Sequence, residues 1–170
     1  MKQLFLLRHA TSSWDDSELA DHDRPLAPRG RRAVKLIAEH LRREGVTPAL
    51  VLCSSALRTR ETLEGIASAL GESISVQIED ELYAAPERRL LERLRAVEDG
   101  VASLLLIGHN PGVEQLALSL AGGGQKLAAL SRKYPTGALA TLEFSGRWGD
   151  LRPGRAELTD FVTPKQLAKR

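Results

Sequence analysis

With 170 residues, 42% apolar and 27% charged, the chain is long enough for one domain with a real core, expected over residues 1–170. A formal net charge of +2, basic residues spread among acidic ones and only 4% aromatics argue against a nucleic-acid partner. No apolar run reaches the roughly 18 residues that span a bilayer, no leader pattern stands out, and one cysteine leaves no intrachain disulfide and little basis for a Cys-based zinc site, so a cytoplasmic protein without membrane contact is expected.

Residues 3–8, QLFLLR, are an apolar run that reads as a short buried strand. The following TSSWDDSELADHDRP is polar and loop-like. In LAPRGRRAVKLIAEHLRREG, Ala33, Val34, Ile37, Ala38 and Leu41 recur at helical spacing; Pro28 suits the first helical position and Gly45 the stop. PALVLCS is a second buried strand. SSALRTRETLEGIASALG reads as a second helix, capped by Ser54 or Ser55, with Gly71 just past its end. ISVQIE (74–79) alternates as a third strand, and PERRLLERLRAVE is a third amphipathic helix. ASLLLIGH is the most clearly buried strand. Asn110 and Pro111 then read as N-cap and first residue of the helix GVEQLALSLAG. ALATLEF and AELTDF are expected to pair antiparallel around SGRWGDLRPG, and Thr163 with Gln166 fits a capping box.

Strand and helix alternate four times. That pattern predicts an α/β fold: a three-layer α/β/α sandwich with a mainly parallel central sheet and an antiparallel edge. In such sheets ligands bind outside the carboxyl ends of the strands. Strand one ends in Arg8-His9, strand two leads to Arg58 in the next helix's first turn, and strand four ends in Gly108-His109-Asn110-Pro111. Two histidines and two arginines therefore fall near helix N-termini, where an anion is favoured. Arginine forks match phosphate oxygens, and a neutral imidazole can attack phosphorus.

Other motifs carry less. A cysteine-phosphatase loop needs five residues between Cys and Arg, but Cys53 and Arg58 enclose four. GGGQK (122–126) follows a helix and lacks Walker spacing, so it reads as a flexible turn. His22 and His40 read as loop and helix-surface residues. Asp15, Asp16, Asp21 and Asp23 read as a solvated acidic loop that borders the pocket at most.

Four blocks in order, LLRHATS, RPLAPRGRRA, CSSALRTRET and LLLIGHNP, resemble the histidine phosphatase superfamily, the group that includes phosphoglycerate mutase. They cover residues from about 4 to 116. RHA in place of RHG, the DHDRPL segment, GHNP and the short chain resemble most the phosphohistidine phosphatase branch, the SixA type. The resemblance implies a phosphoglycerate mutase-like fold, His9 as a nucleophile that becomes phosphorylated, Arg8 and Arg58 on the phosphoryl oxygens, and His109 completing the phosphate pocket. It implies no metal and no organic cofactor. Its implied partner is a phosphohistidine-bearing protein such as a histidine phosphotransfer domain in signal transduction, with inorganic phosphate as product.

The chain departs from the wider family in two places. Relatives with phosphate-ester substrates carry a glutamate as proton donor where ELYAAP places Ala84; Glu81, three residues earlier, is the remaining candidate acid. An alkoxide leaving group needs that proton, worth roughly 10²–10⁴-fold in rate, whereas an imidazole leaves more readily. Ala27 stands where relatives place a capping Ser or Thr, a difference of about 1 kcal/mol. The expected function is thus phosphohistidine hydrolysis. The alternatives are a small-molecule phosphomonoesterase, a mutase, and a phosphate- or phosphoprotein-binding module without turnover.

Overall fold

The computed structural model describes residues 1–170. Its frame is a seven-stranded sheet built from β1 (Lys2–Arg8), β2 (Leu50–Ser54), β3 (Ser75–Glu79), β4 (Ser103–Gly108), β5 (Ala121–Gly123), β6 (Leu139–Phe144) and β7 (Ala156–Val162). The helices are α1 (Pro28–Arg43), α2 (Leu57–Ile66), α3 (Glu87–Arg95), α4 (Gly112–Leu120), α5 (Leu127–Arg132) and α6 (Pro164–Leu167). The strand order is β3-β2-β4-β1-β6-β7-β5. The first four strands in that order run parallel, and β6 is antiparallel to both β1 and β7.

The period of two along each strand builds the layers. Leu4 and Leu6, Leu50 and Leu52, and Leu104 and Leu106 point to one face, where they join Leu90, Leu94, Val113, Leu116 and Leu120 of α3 and α4 in a 26-residue core. Phe5 and Leu7, Val51 and Cys53, and Leu105 and Ile107 point to the other. There they meet Val34, Ile37 and Leu41 of α1 and Leu63 and Ile66 of α2 in a 20-residue core. A sheet buried on both faces is the reason these strands read as continuous apolar runs.

The expected α/β sandwich, the antiparallel β6–β7 pair and the Thr163–Gln166 capping box are all present. Four local expectations change. GGGQK is not simply a turn: Ala121–Gly123 form β5, parallel to β7. α2 begins after Ala56, so neither serine is its N-cap; Ser54 instead accepts the Ala56 N–H through its side chain at 3.3 Å. α4 begins at Gly112, one residue late, while Asn110 Oδ1 still accepts the Glu114 N–H at 3.2 Å. His40 is buried rather than superficial, its Nδ1 3.4 Å from Arg170 Nη1.

Two glycines bring the chain close around the end of β1. A Cβ at Gly30 would lie 2.1 Å from the Thr11 carbonyl oxygen, so α1 can pack there only without a side chain. Gly137 adopts φ +76° and gives its N–H to the carbonyls of Arg8 and His9, each at 3.0 Å.

Candidate active site

The parallel strands β1, β2 and β4 end together, and the chain leaves each through a polar residue. Arg8 is the last residue of β1 and His9 follows it; His109 follows β4; Arg58 is the second residue of α2 after β2. His9, Arg58 and His109 are buried, and Arg8 is half-buried. The two imidazole rings lie 5.3 Å apart between centroids. A cavity of about 280 Å³ opens over all four and is also walled by Thr11, Ser12, Trp14, Arg24, Asn110 and Thr136.

The hydrogen bonds fix the histidines. His9 Nδ1 is 2.7 Å from the Ala10 carbonyl oxygen. A carbonyl only accepts, so Nδ1 carries the proton and Nε2 keeps its lone pair. Burial, partly opposed by that carbonyl and reinforced by Arg58, Arg8 and Arg24, lowers the His9 pKa to about 4, so the ring is neutral at pH 7. His109 Nε2 is 2.7 Å from Ser54 Oγ. The Ser54 hydroxyl accepts from Ala56 and has no other acceptor for its own proton, so it donates to Nε2, which leaves the His109 proton on Nδ1. Burial first, then His9 and Arg58, lowers the His109 pKa to about 3.

The arginines are held from behind. Arg8 Nη1 donates to the Tyr134 carbonyl at 3.0 Å. Arg58 donates to the Asp21 carbonyl at 2.8 Å and to its carboxylate at 3.1 Å. In the whole chain only three buried side-chain nitrogens or oxygens lack a hydrogen-bond partner: Arg8 Nε, Arg58 Nε and His109 Nδ1. All three belong to this cavity, and all three are donors once His109 is protonated on Nδ1. An unpaired buried donor costs about 1–3 kcal/mol, so three in one place amount to a demand for an anion.

Several residues at the site were not legible as such. Arg24 is a third arginine of the site and, like Arg58, buried, at 7% exposure. Its guanidinium donates to Ser12 Oγ at 2.8 Å and to Asp21 at 3.2 Å, under the ring of Trp14 at 3.5 Å. Asp21 lies at the rim, where it accepts from Arg24, Arg58 and the Tyr83 hydroxyl. The Tyr83 bond, reinforced by Arg58 and Arg24 and opposed by partial burial, lowers its pKa to about 2. The Asp21-to-Arg24 spacing of three is an ion-pair spacing and was the available signal. Ser54, expected as a cap, instead orients His109. Glu81 is exposed and does not line the cavity; Tyr83 is the residue of that segment which reaches the rim, packing edge-on to His109 at 5.5 Å.

Cys53 is buried, and burial raises its thiol pKa to about 12, so it has no thiolate character at neutral pH. No group of three or more His, Cys, Asp or Glu side chains is arranged to hold a metal ion. No helix is long and apolar enough to cross a membrane.

Residues 4–84 match the family model of the histidine phosphatase superfamily, branch 1. The chain belongs to the histidine phosphatase superfamily. It is 39% identical to the uncharacterised protein Rv1276c of Mycobacterium tuberculosis over 94% of this chain and 100% of that one. It is 33% identical to the phosphohistidine phosphatase SixA of Escherichia coli K12 over 71% of this chain and 75% of that one. The structure of the protein histidine phosphatase SixA complexed with tungstate superposes with a TM-score of 0.79 at 28% identity, covering 97% of this chain and 99% of the other. Family membership makes this chain an enzyme of the phosphatase class and the sandwich a phosphoglycerate mutase-like fold.

Proposed function

We propose that this phosphatase hydrolyses phosphohistidine on a partner protein through a covalent phospho-His9 intermediate. The observation that carries the reading is the set of three orphaned buried donors, Arg8 Nε, Arg58 Nε and His109 Nδ1, in one cavity with a neutral His9. Their acceptor is the transferring phosphoryl group. His9 Nε2 attacks phosphorus while the Nδ1–H stays on the Ala10 carbonyl. The P–N bond of the substrate breaks with its electron pair on the departing imidazole nitrogen. Arg8, Arg24, Arg58 and His109 hold the phosphoryl oxygens, where negative charge builds. Water then attacks phospho-His9 and releases inorganic phosphate.

The leaving group supports phosphohistidine over a phosphate ester. Neither Glu81 nor any other carboxylic acid lines the cavity to protonate an alkoxide. Asp21, which accepts from Arg24 and Arg58 of the lining, is held ionised and cannot donate. An anion there does suit a substrate imidazole, which leaves as a neutral ring only if its second nitrogen keeps a proton. Three donors occupy Asp21; a carboxylate has about four lone-pair sites, so one remains for that N–H.

The test is steady-state turnover by wild type and His9→Ala of a phosphorylated histidine phosphotransfer domain and a panel of small phosphate monoesters. Preferred turnover of phosphohistidine, abolished in His9→Ala with the fold intact, is expected. Turnover retained in His9→Ala refutes the nucleophile. Better turnover of a monoester refutes the substrate class and requires a proton donor elsewhere.

A further inference from the structure

A second cavity, about 660 Å³ in volume, adjoins the phosphate pocket. Thr11 and Thr136 line both cavities and are joined to each other, Oγ1 to Oγ1, at 2.8 Å. This threonine pair is the stretch of wall that the two cavities share. The cavity gathers five cations from separated parts of the chain: Arg29 in the first turn of α1, Arg132 and Lys133 at the end of α5, and Lys165 and Lys169 in and after α6. No acidic residue lines it. None of the five takes part in a salt bridge, and all five are exposed. In a chain whose net charge is only +2, that is a strongly one-signed surface beside the catalytic histidine.

We infer that this cleft docks an acidic surface flanking the phosphohistidine of the partner protein, an extension of the function proposed above. The transferring phosphoryl group does not need these cations, since Arg8, Arg24 and Arg58 already surround it. Three of the five are lysines, compact charges on flexible stems, which fit carboxylates at varied positions rather than one rigid phosphate fork. A single-stranded nucleic acid would want stacking platforms. The sole aromatic in the lining, Phe161, is 2% exposed and offers none. Complementary charge around a shared entrance raises the encounter rate and sets register.

The experiment uses two phosphohistidine peptides of equal length, one flanked by glutamates and one by glutamines, with free phosphohistidine as the small substrate. Wild type is expected to favour the glutamate peptide about tenfold in kcat/KM at low salt, from exposed pairs of modest strength each. The preference should lie in KM and fade at high salt. The triple variant Lys133→Glu, Lys165→Glu, Lys169→Glu should lose it and keep wild-type turnover of free phosphohistidine, which also reports an intact fold. Equal turnover of both peptides by wild type overturns the docking site, as does a preference that survives in the triple variant. So does a single-stranded oligonucleotide that competes more strongly than the glutamate peptide and is released by the triple variant. If wild type hydrolyses neither peptide nor free phosphohistidine, it is the substrate reading that fails instead.

Discussion

Two arginines of this protein each face a carboxylate, one at the β3 edge and one where β1, β2 and β4 end, with different results. At the β3 edge, Arg93 of α3 closes on Glu79 with a two-pronged grip, Nε to Oε1 at 2.7 Å and Nη2 to Oε2 at 2.8 Å. That bond to Glu79 raises the Arg93 pKa, and the charge is spent on tying helix to strand. At the strand ends, Arg58 gives Asp21 only its two Nη groups and keeps Nε buried without a partner. A satisfied fork is structural; a fork pinned at its far end with one donor left over is prepared for a ligand. The same holds for Arg8, anchored on Tyr134 through Nη1 with Nε orphaned.

The widest separation between the two regions is expected from truncating each arginine. Arg58→Ala should lower kcat/KM by about 10²–10³-fold, the usual effect of removing one preorganised charge at a transition state. Arg93→Ala should leave kcat/KM unchanged and lower stability by about 1–2 kcal/mol, read as a urea midpoint, because a charged hydrogen-bond pair at partly screened exposure is lost. Comparable kinetic losses in both variants would erase the distinction.

The carboxylates provide a finer comparison. Glu79→Gln should not alter kinetics. Asp21→Asn should reduce phosphohistidine turnover about tenfold, within the range for one charged hydrogen bond, while monoester turnover holds or rises, since a negative charge beside the dianion is gone. Equal losses on both substrates would reduce Asp21 to a strut for Arg24 and Arg58.

The chain order of strands, helices and strand-end polar residues was legible because each rests on local pattern. Apolar runs mark strands buried on two faces, and strand ends mark the ligand crevice, which is how Arg8, His9, Arg58 and His109 could be grouped. What escaped depends on distant contacts or on backbone alone. β5 is three residues of AGG with no side-chain period to read, and α5 has six residues, less than two turns. Arg24 is buried only because the loop folds Trp14 over it and Asp21 beneath it. The five cations of the cleft come from α1, α5 and the chain's end, far apart in sequence, and only the fold collects them. His40 is covered by Arg170, 130 positions away.

The smallest effect concerns stability against pH, and it separates the site from the rest of the core. His9 and His109 are held near 4 and 3, against about 6.5 in the unfolded chain. Between pH 6.5 and 4 the unfolded chain therefore binds more protons than the folded one, and stability falls as pH falls through that window. His40, lowered by its own burial, adds to the slope in the same direction. Asp21 contributes its share only further down, between about 3.8 and 2, where its carboxylate would have to protonate. The urea midpoint of wild type should thus decline steadily from pH 7 to pH 5. The double variant His9→Gln, His109→Gln should show a shallower decline, with the remainder due to His40. Parallel declines would mean that the two site histidines do not resist protonation, and the proposal of a neutral His9 nucleophile would lose its physical basis.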